Sequence, residues 1–271
     1  MHRARTNITI SKFVLVIILA PLVTLLTATP AYAMHISEGI LPLPWALFWY
    51  VVAIPFVIKG TIAMRKNSRN IPAFMPFVGM VSAAVFIISA LPIPVPVAGT
   101  CSHPAGTGLA AMLIGPFPTI VSASIALLIQ ALFLAHGGIS TWGADVVSMG
   151  VVGAISGYIT YKVSVKLKLP LTVAAFLTGV VSDWATYTTT SLELALGLSN
   201  RQSFLALFKA IFIAFIPTQL PIGILEGFAA AGLFAFVLKR RPDIFIALGI
   251  ITESQIVVKG GEHENPAFQT D

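Results

Sequence analysis

Seven apolar runs follow one another along this chain, and the short segments between them carry most of its charge. They fall at about 44–59, 72–91, 105–115, 117–136, 144–161, 170–192 and 203–238. A helix needs about 20 apolar residues to cross a bilayer, and most of these runs are near that length. Composition agrees: 57% of the chain is hydrophobic and 10% charged, where soluble domains carry about 25% charged residues. The expected fold is an all-α, polytopic integral membrane helix bundle of about seven transmembrane helices, with lipid as its main solvent. The net charge of +6 sits between apolar runs and makes no basic groove, which argues against nucleic acid as a partner. With a single cysteine, Cys101, the chain has no internal disulfide. The 105–115 run is short for a full crossing and could be a half-helix turning at Gly115-Pro116-Phe117-Pro118, although the alternation of charged loops counts it among the seven crossings. Pro217 and Pro221 are expected to kink the long final run.

Residues 1–33 have the form of a cleavable secretory signal. Arg3, Arg5 and Lys12 precede an apolar stretch from Phe13 to Leu26, and Ala31-Tyr32-Ala33 offers a small-x-small cleavage site. The alternative is an uncleaved first helix; both readings put Met34 outside. With that start, Lys59, Arg65, Lys66 and Arg69, then Lys162, Lys166 and Lys168, then Lys239, Arg240 and Arg241 all fall inside, as the positive-inside rule requires. The outer loops hold only Arg201. The expected organisation is a signal over 1–33, a membrane domain over 34–241 and a cytoplasmic tail over 242–271, in a multi-pass cell-membrane protein whose mature N-terminus is outside. The stretch from Ile244 to Ile251 could lie against the bundle; the sequence leaves that open.

Of the five histidines, His2 falls in the signal and His263 in the tail, whereas His35, His103 and His136 all fall near the outer face. Cleavage after Ala33 would leave Met34-His35 as a free terminus. Such a terminus can chelate through the Met34 amine, the His35 backbone nitrogen and the His35 Nδ1, closing a five- and a six-membered ring. Three nitrogens in a plane leave a fourth corner open and suit Ni(II) or Cu(II), with Co(II) also possible; hard cations that want oxygen are disfavoured. The fourth nitrogen is expected from His103, on the loop Leu91-Pro-Ile-Pro-Val-Pro-Val-Ala-Gly-Thr-Cys-Ser-His-Pro-Ala-Gly-Thr-Gly, whose alternating prolines impose an extended backbone. Glu38 is a candidate for attracting or orienting the metal, or for capping the first helix. Ser102 beside His103, and His136 with Asp145 as a pair fixing the outer loop, are further candidates around the ion. Asp183 and Glu226, within helices, are expected to bond across the bundle or meet a partner.

Five ordered segments carry a family resemblance. They are Met34-His-Ile-Ser-Glu-Gly-Ile-Leu-Pro, Cys101-Ser-His-Pro-Ala-Gly-Thr-Gly-Leu, His136-Gly-Gly-Ile-Ser-Thr-Trp-Gly-Ala-Asp-Val-Val-Ser-Met, Asp183-Trp-Ala-Thr-Tyr-Thr-Thr-Thr-Ser-Leu-Glu-Leu-Ala-Leu and Gln219-Leu-Pro-Ile-Gly-Ile-Leu-Glu-Gly. Together they resemble the CbiM/NikM family, the cobalt- or nickel-binding S components of energy-coupling-factor (ECF) ABC transporters, from about Met34 to Arg240. The resemblance implies an S-component-like bundle that captures Co²⁺ or Ni²⁺ for ATP-driven uptake, feeding cobalamin biosynthesis in the cobalt case. It implies metal ligands at Met34, His35 and His103. It also implies a transmembrane coupling (T) component, two cytoplasmic ATPase subunits and a small two-helix companion as partners. The signal peptide departs from the many relatives that begin directly at Met-His-Ile; cleavage would regenerate the same terminus.

Other classes fit less well. The chain has no GxxxxGK[ST] phosphate loop, so ATP hydrolysis falls to other chains, and no HExxH for an intramembrane metalloprotease. No catalytic cofactor is expected, and the chain is read as a transport subunit rather than an enzyme. A haem carrier using His103 and His136 would be pigmented when purified. A metal channel would need a polar through-path instead of one buried site.

Overall fold

The structure, a computed structural model, describes residues 35–90, 93–95, 100–199, 203–240 and 242–251. The signal, Met34, Arg201 and the tail beyond Ile251 lie outside the described residues. Every apolar run becomes a helix. These are α1 (Leu43–Asn70), α2 (Phe74–Ser89), α3 (Thr107–Ile114), α4 (Pro116–Phe133), α5 (Trp142–Lys166), α6 (Leu171–Leu198) and α7 (Phe204–Arg240), followed by a short α8 (Pro242–Ala247). The result is a membrane helix bundle. Among the described residues, only α1, α4, α5 and α7 are both long and apolar enough to cross a bilayer by length and composition. At 16 residues α2 is about 24 Å long. The 28 residues of α6 include the buried Asp183 and Glu193, which lower its hydropathy.

Polarity runs outward to inward in reverse of a soluble protein. Leu43, Val51, Ile62, Phe133, Leu225 and Phe228 are exposed, while Asp145, Asp183, Glu193, Gln219 and Glu226 are buried. Lipid tolerates the first set, and the second can hydrogen-bond only within the bundle.

The proline-rich loop forms a two-stranded antiparallel hairpin, β1 (Ile93–Val95) with β2 (Thr100–Ser102), pairing Ile93 with Ser102 and Val95 with Thr100. After it the chain turns inward to α3, whose eight residues are all buried. Gly115, at φ +86°, ends α3 and lets Pro116 open α4 in the opposite sense. The half-helix expectation for 105–115 therefore holds: eight residues make about 12 Å of helix, well short of a crossing. Helix α7 runs through Pro217 and Pro221 as one 37-residue helix, so the prolines do not interrupt it.

Close approach around α3 depends on glycine. A Cβ on Gly108 would stand 2.5 Å from the Ser182 Cβ, and one on Gly153 2.7 Å from the Thr107 Oγ1. Helix α5 holds a π-helical stretch, Val146–Gly153, at the level where it meets α3 and α6. Beyond α7, the first part of the tail packs onto the bundle. Phe245 stacks on Phe234 at 5.0 Å, and the Tyr161 Oη donates to the Ile250 carbonyl at 3.2 Å.

Candidate metal centre

Three histidines that are far apart in sequence meet at one end of the bundle. The rings of His35 and His103 have centroids 4.6 Å apart at an interplanar angle of 80°, and that of His136 lies 5.4 Å from His35 and 6.4 Å from His103. His35 and His103 are 6% and 2% exposed. Burial and the neighbouring His103 and His136 rings hold the His35 imidazole well below its ordinary pKa. Burial brings His103 down to about 4, and burial with the nearby His103 ring brings His136 to about 3. All three rings are neutral near pH 7 and carry a lone pair that a metal can use.

Hydrogen bonds fix where those lone pairs point. The His103 Nδ1 lies 2.9 Å from the Pro104 carbonyl, which can only accept, so Nδ1 carries the proton and Nε2 the lone pair. The His35 Nε2 lies 2.8 Å from the Gln130 Oε1, again an acceptor, so His35 carries its proton on Nε2 and its lone pair on Nδ1. The two lone-pair nitrogens, His35 Nδ1 and His103 Nε2, stand 3.2 Å apart. Adjacent nitrogen ligands about 2.0–2.1 Å from one ion stand about 2.9 Å apart. The pair is thus set for neighbouring corners of one coordination plane.

The backbone of His103 is held from two helices. Its N–H donates to the Tyr187 Oη at 2.8 Å, and that hydroxyl donates back to the His103 carbonyl at 3.1 Å. Gln219 Nε2 reaches the same carbonyl at 3.4 Å and the Asp183 Oδ2 at 2.6 Å. The Glu226 carboxylate accepts from the Ala105 and Gly106 N–H groups at 2.6 and 2.9 Å. Ser102 meets Thr218 of α7 at 2.6 Å, which anchors the loop.

The segment carrying His35 is fastened in the same way. Asp145 Oδ1 accepts the Ile36 N–H at 3.0 Å, and the Thr141 hydroxyl donates to the Ile36 carbonyl. Asp145 thus binds main chain, and the expected Asp145–His136 pairing is not what forms: the buried His136 Nε2 has no hydrogen-bond partner. Glu38 accepts from the Ser140 N–H at 3.0 Å, and a hydrogen bond with the Ser140 side chain, helped by this backbone contact, holds its carboxyl below the usual range. The first helix is instead preceded by Pro42 with no side-chain cap, so Glu38 caps nothing; it ties the His35 segment to the 136–141 loop. Tyr50 Oη donates to the Ile139 carbonyl and pins the same loop.

Among the described residues, no three His, Cys, Asp or Glu side chains form a metal-holding group. Two imidazoles alone make a weak site, and Met34, the further ligand expected from the sequence, lies outside the described residues. Sequence reasoning had missed Gln130, Tyr187, Thr141 and Gln219. A polar amide in an apolar run was the available signal for both glutamines.

A family profile described as the CbiM cobalt uptake substrate-specific transmembrane region matches residues 35–244. The chain is 53% identical over 227 residues to the cobalt transport protein CbiM of Geobacter sulfurreducens, a match covering 84% of this chain and 66% of that one, just under two thirds of its length. It is 54% identical over 218 residues to the cobalt transport protein CbiM of Sorangium cellulosum, covering 80% of this chain and 97% of the relative. Its fold is similar to the crystal structure of a truncated transition metal transporter, with a TM-score of 0.67 at 26% identity over 76% of this chain and 99% of that one.

Proposed function

The chain belongs to the CbiM family of cobalt-uptake substrate-specific transmembrane regions, and from that membership we propose that it is the metal-capturing S component of an ECF-type ABC transporter. Its substrate is Co²⁺, with Ni²⁺ the alternative, taken from the outer face and feeding cobalamin biosynthesis. The ion is held by the Met34 amine, the His35 backbone nitrogen and Nδ1, and the His103 Nε2. The observation that carries this reading is the 3.2 Å approach of two neutral, lone-pair nitrogens on His35 and His103. Two acceptor nitrogens turned toward one another inside a buried site repel unless a cation lies between them.

The organisation proposed with it has a signal removed after Ala33, about seven membrane passages and an outward mature N-terminus. Its support is charge placement: Lys59, Arg65, Lys66 and Arg69 fall in the second half of α1, Lys162 and Lys166 at the end of α5, and Lys239 and Arg240 at the end of α7. Positive charge keeps those ends inside. The proposed partners are a T component, two ATPase subunits and a small two-helix companion, because the chain lacks a phosphate-binding loop of its own.

Metal analysis and calorimetry on the purified protein, with mass determination of its first residue, test the proposal. The expected result is one Co²⁺ or Ni²⁺ per chain starting at Met34, lost on His35→Ala and His103→Ala and on placing one residue before Met34. Unchanged affinity in both histidine variants would refute the site, and unchanged affinity after extension would refute the role of the amine.

A further inference from the structure

Gln130 lies on α4, is 0% exposed, and is absent from the ligand set just proposed. Its Nε2 donates to the Phe86 carbonyl at 3.3 Å and to the Ser89 Oγ at 2.8 Å. A carbonyl only accepts. The Ser89 hydroxyl spends its own hydrogen on the Val85 carbonyl at 2.8 Å, so toward Gln130 it too accepts. Both contacts demand the NH₂ side of the amide, and they leave its oxygen facing His35. That oxygen then demands N–H from His35 Nε2 at 2.8 Å. The orientation of one amide, set by α2, therefore determines the tautomer of an imidazole on another segment.

We propose that Gln130 is a positioning residue that selects the metal-binding nitrogen of His35; the inference rests on the nitrogen site proposed above. A chelate through the His35 backbone nitrogen closes a six-membered ring only through Nδ1, so Nδ1 must carry the lone pair. The competing tautomer has its own stabilising contact. With the proton on Nδ1, His35 would donate to the His103 Nε2, a lone-pair nitrogen 3.2 Å away. That hydrogen bond puts a proton where the ion must sit and closes the site against its substrate. Gln130 makes the blocked form costly, because it would oppose the amide oxygen to a bare His35 Nε2. Ser89 and Phe86 keep the amide from turning over to accommodate it.

The test compares Gln130→Met, Gln130→Glu and His103→Ala for Ni²⁺ and Co²⁺ affinity by calorimetry. Imidazole ¹⁵N shifts of the metal-free proteins report the His35 tautomer. Methionine keeps the length and loses the acceptor; glutamate keeps an acceptor oxygen and loses the amide donors to Ser89 and Phe86. Gln130→Met is expected to bind about 10–100-fold more weakly and to show the His35 proton moving to Nδ1. Gln130→Glu is expected to stay within about threefold of the parent, the conservative change rescuing the site. Equal losses in both variants would make Gln130 a brace between α2 and α4 and overturn the inference. So would parental affinity in Gln130→Met, or a parent protein whose metal-free His35 carries its proton on Nδ1. This last measurement needs no variant to fold. Loss in His103→Ala with none in Gln130→Met sinks this inference alone, whereas parental affinity in His103→Ala sinks the nitrogen site itself.

Discussion

Asp145 accepts the main-chain N–H of Ile36 through its Oδ1 at 3.0 Å, so a carboxylate at the head of α5 fastens the residue next to His35 across 109 positions of sequence. The segment around His35 has no helix or strand of its own, and contacts of this kind hold it in place.

Removing that acceptor should free the segment. Asp145→Ala is expected to weaken Ni²⁺ or Co²⁺ binding roughly tenfold or more, the effect of an unmet buried N–H of about 1–3 kcal/mol. Asp145→Asn retains an oxygen for Ile36 and is expected to stay within about threefold. Calorimetry on both variants decides between geometry and charge: equal losses would show that the negative charge, rather than the anchor, supports the ion.

Glycine at the centre of the bundle should be equally intolerant of change. An alanine Cβ at position 108 would sit 2.5 Å from the Ser182 Cβ and 2.7 Å from the Thr178 carbonyl oxygen. Gly108→Ala is expected to cost about 1–3 kcal/mol and lower the thermal midpoint. Gly232 of α7 meets nothing within 4 Å, and Gly232→Ala should leave the midpoint unchanged or raise it. A midpoint for Gly108→Ala no lower than that of Gly232→Ala would refute the packing argument.

The histidines should make the metal-free protein sensitive to acid. His103 is held at about 4 by burial, against about 6.5 in an unfolded chain. Between these values the unfolded chain binds a proton that the folded one does not, so stability falls as pH falls through that window. For His103 the loss is on the order of 3 kcal/mol, complete once pH drops below about 4. Thermal midpoints measured from neutral pH downward should decline less steeply in His103→Gln than in the parent. Parallel declines would show that other groups carry the acid response.

Much of the architecture was legible in the amino-acid order, because apolar length is a strong signal where lipid is the solvent. Each apolar run became a helix, and Gly115-Pro116 announced the turn that makes α3 a half-helix. Span lengths were less legible. Asp183 and Glu193 give α6 a polar interior that lowers its hydropathy, although the run reads as a crossing in the sequence. At the site, His35 and His103 stood out because imidazoles are sparse here and their loops carry unusual chemistry. Their supports did not stand out. Gln130, Tyr187 and Thr141 act through contacts 84 to 105 residues away in sequence, and nothing in their local spacing points to a partner. Asp145 was anticipated as important, but with a histidine as its mate when its mate is a peptide N–H. The signal and Met34 rest on sequence reasoning.

Directly below His103 lies α3, a single short helix with every side chain walled in by its neighbours. On the reading proposed above, a floor of that kind would close the site from beneath, and an ion seated on the histidines would pass inward only if helices shifted.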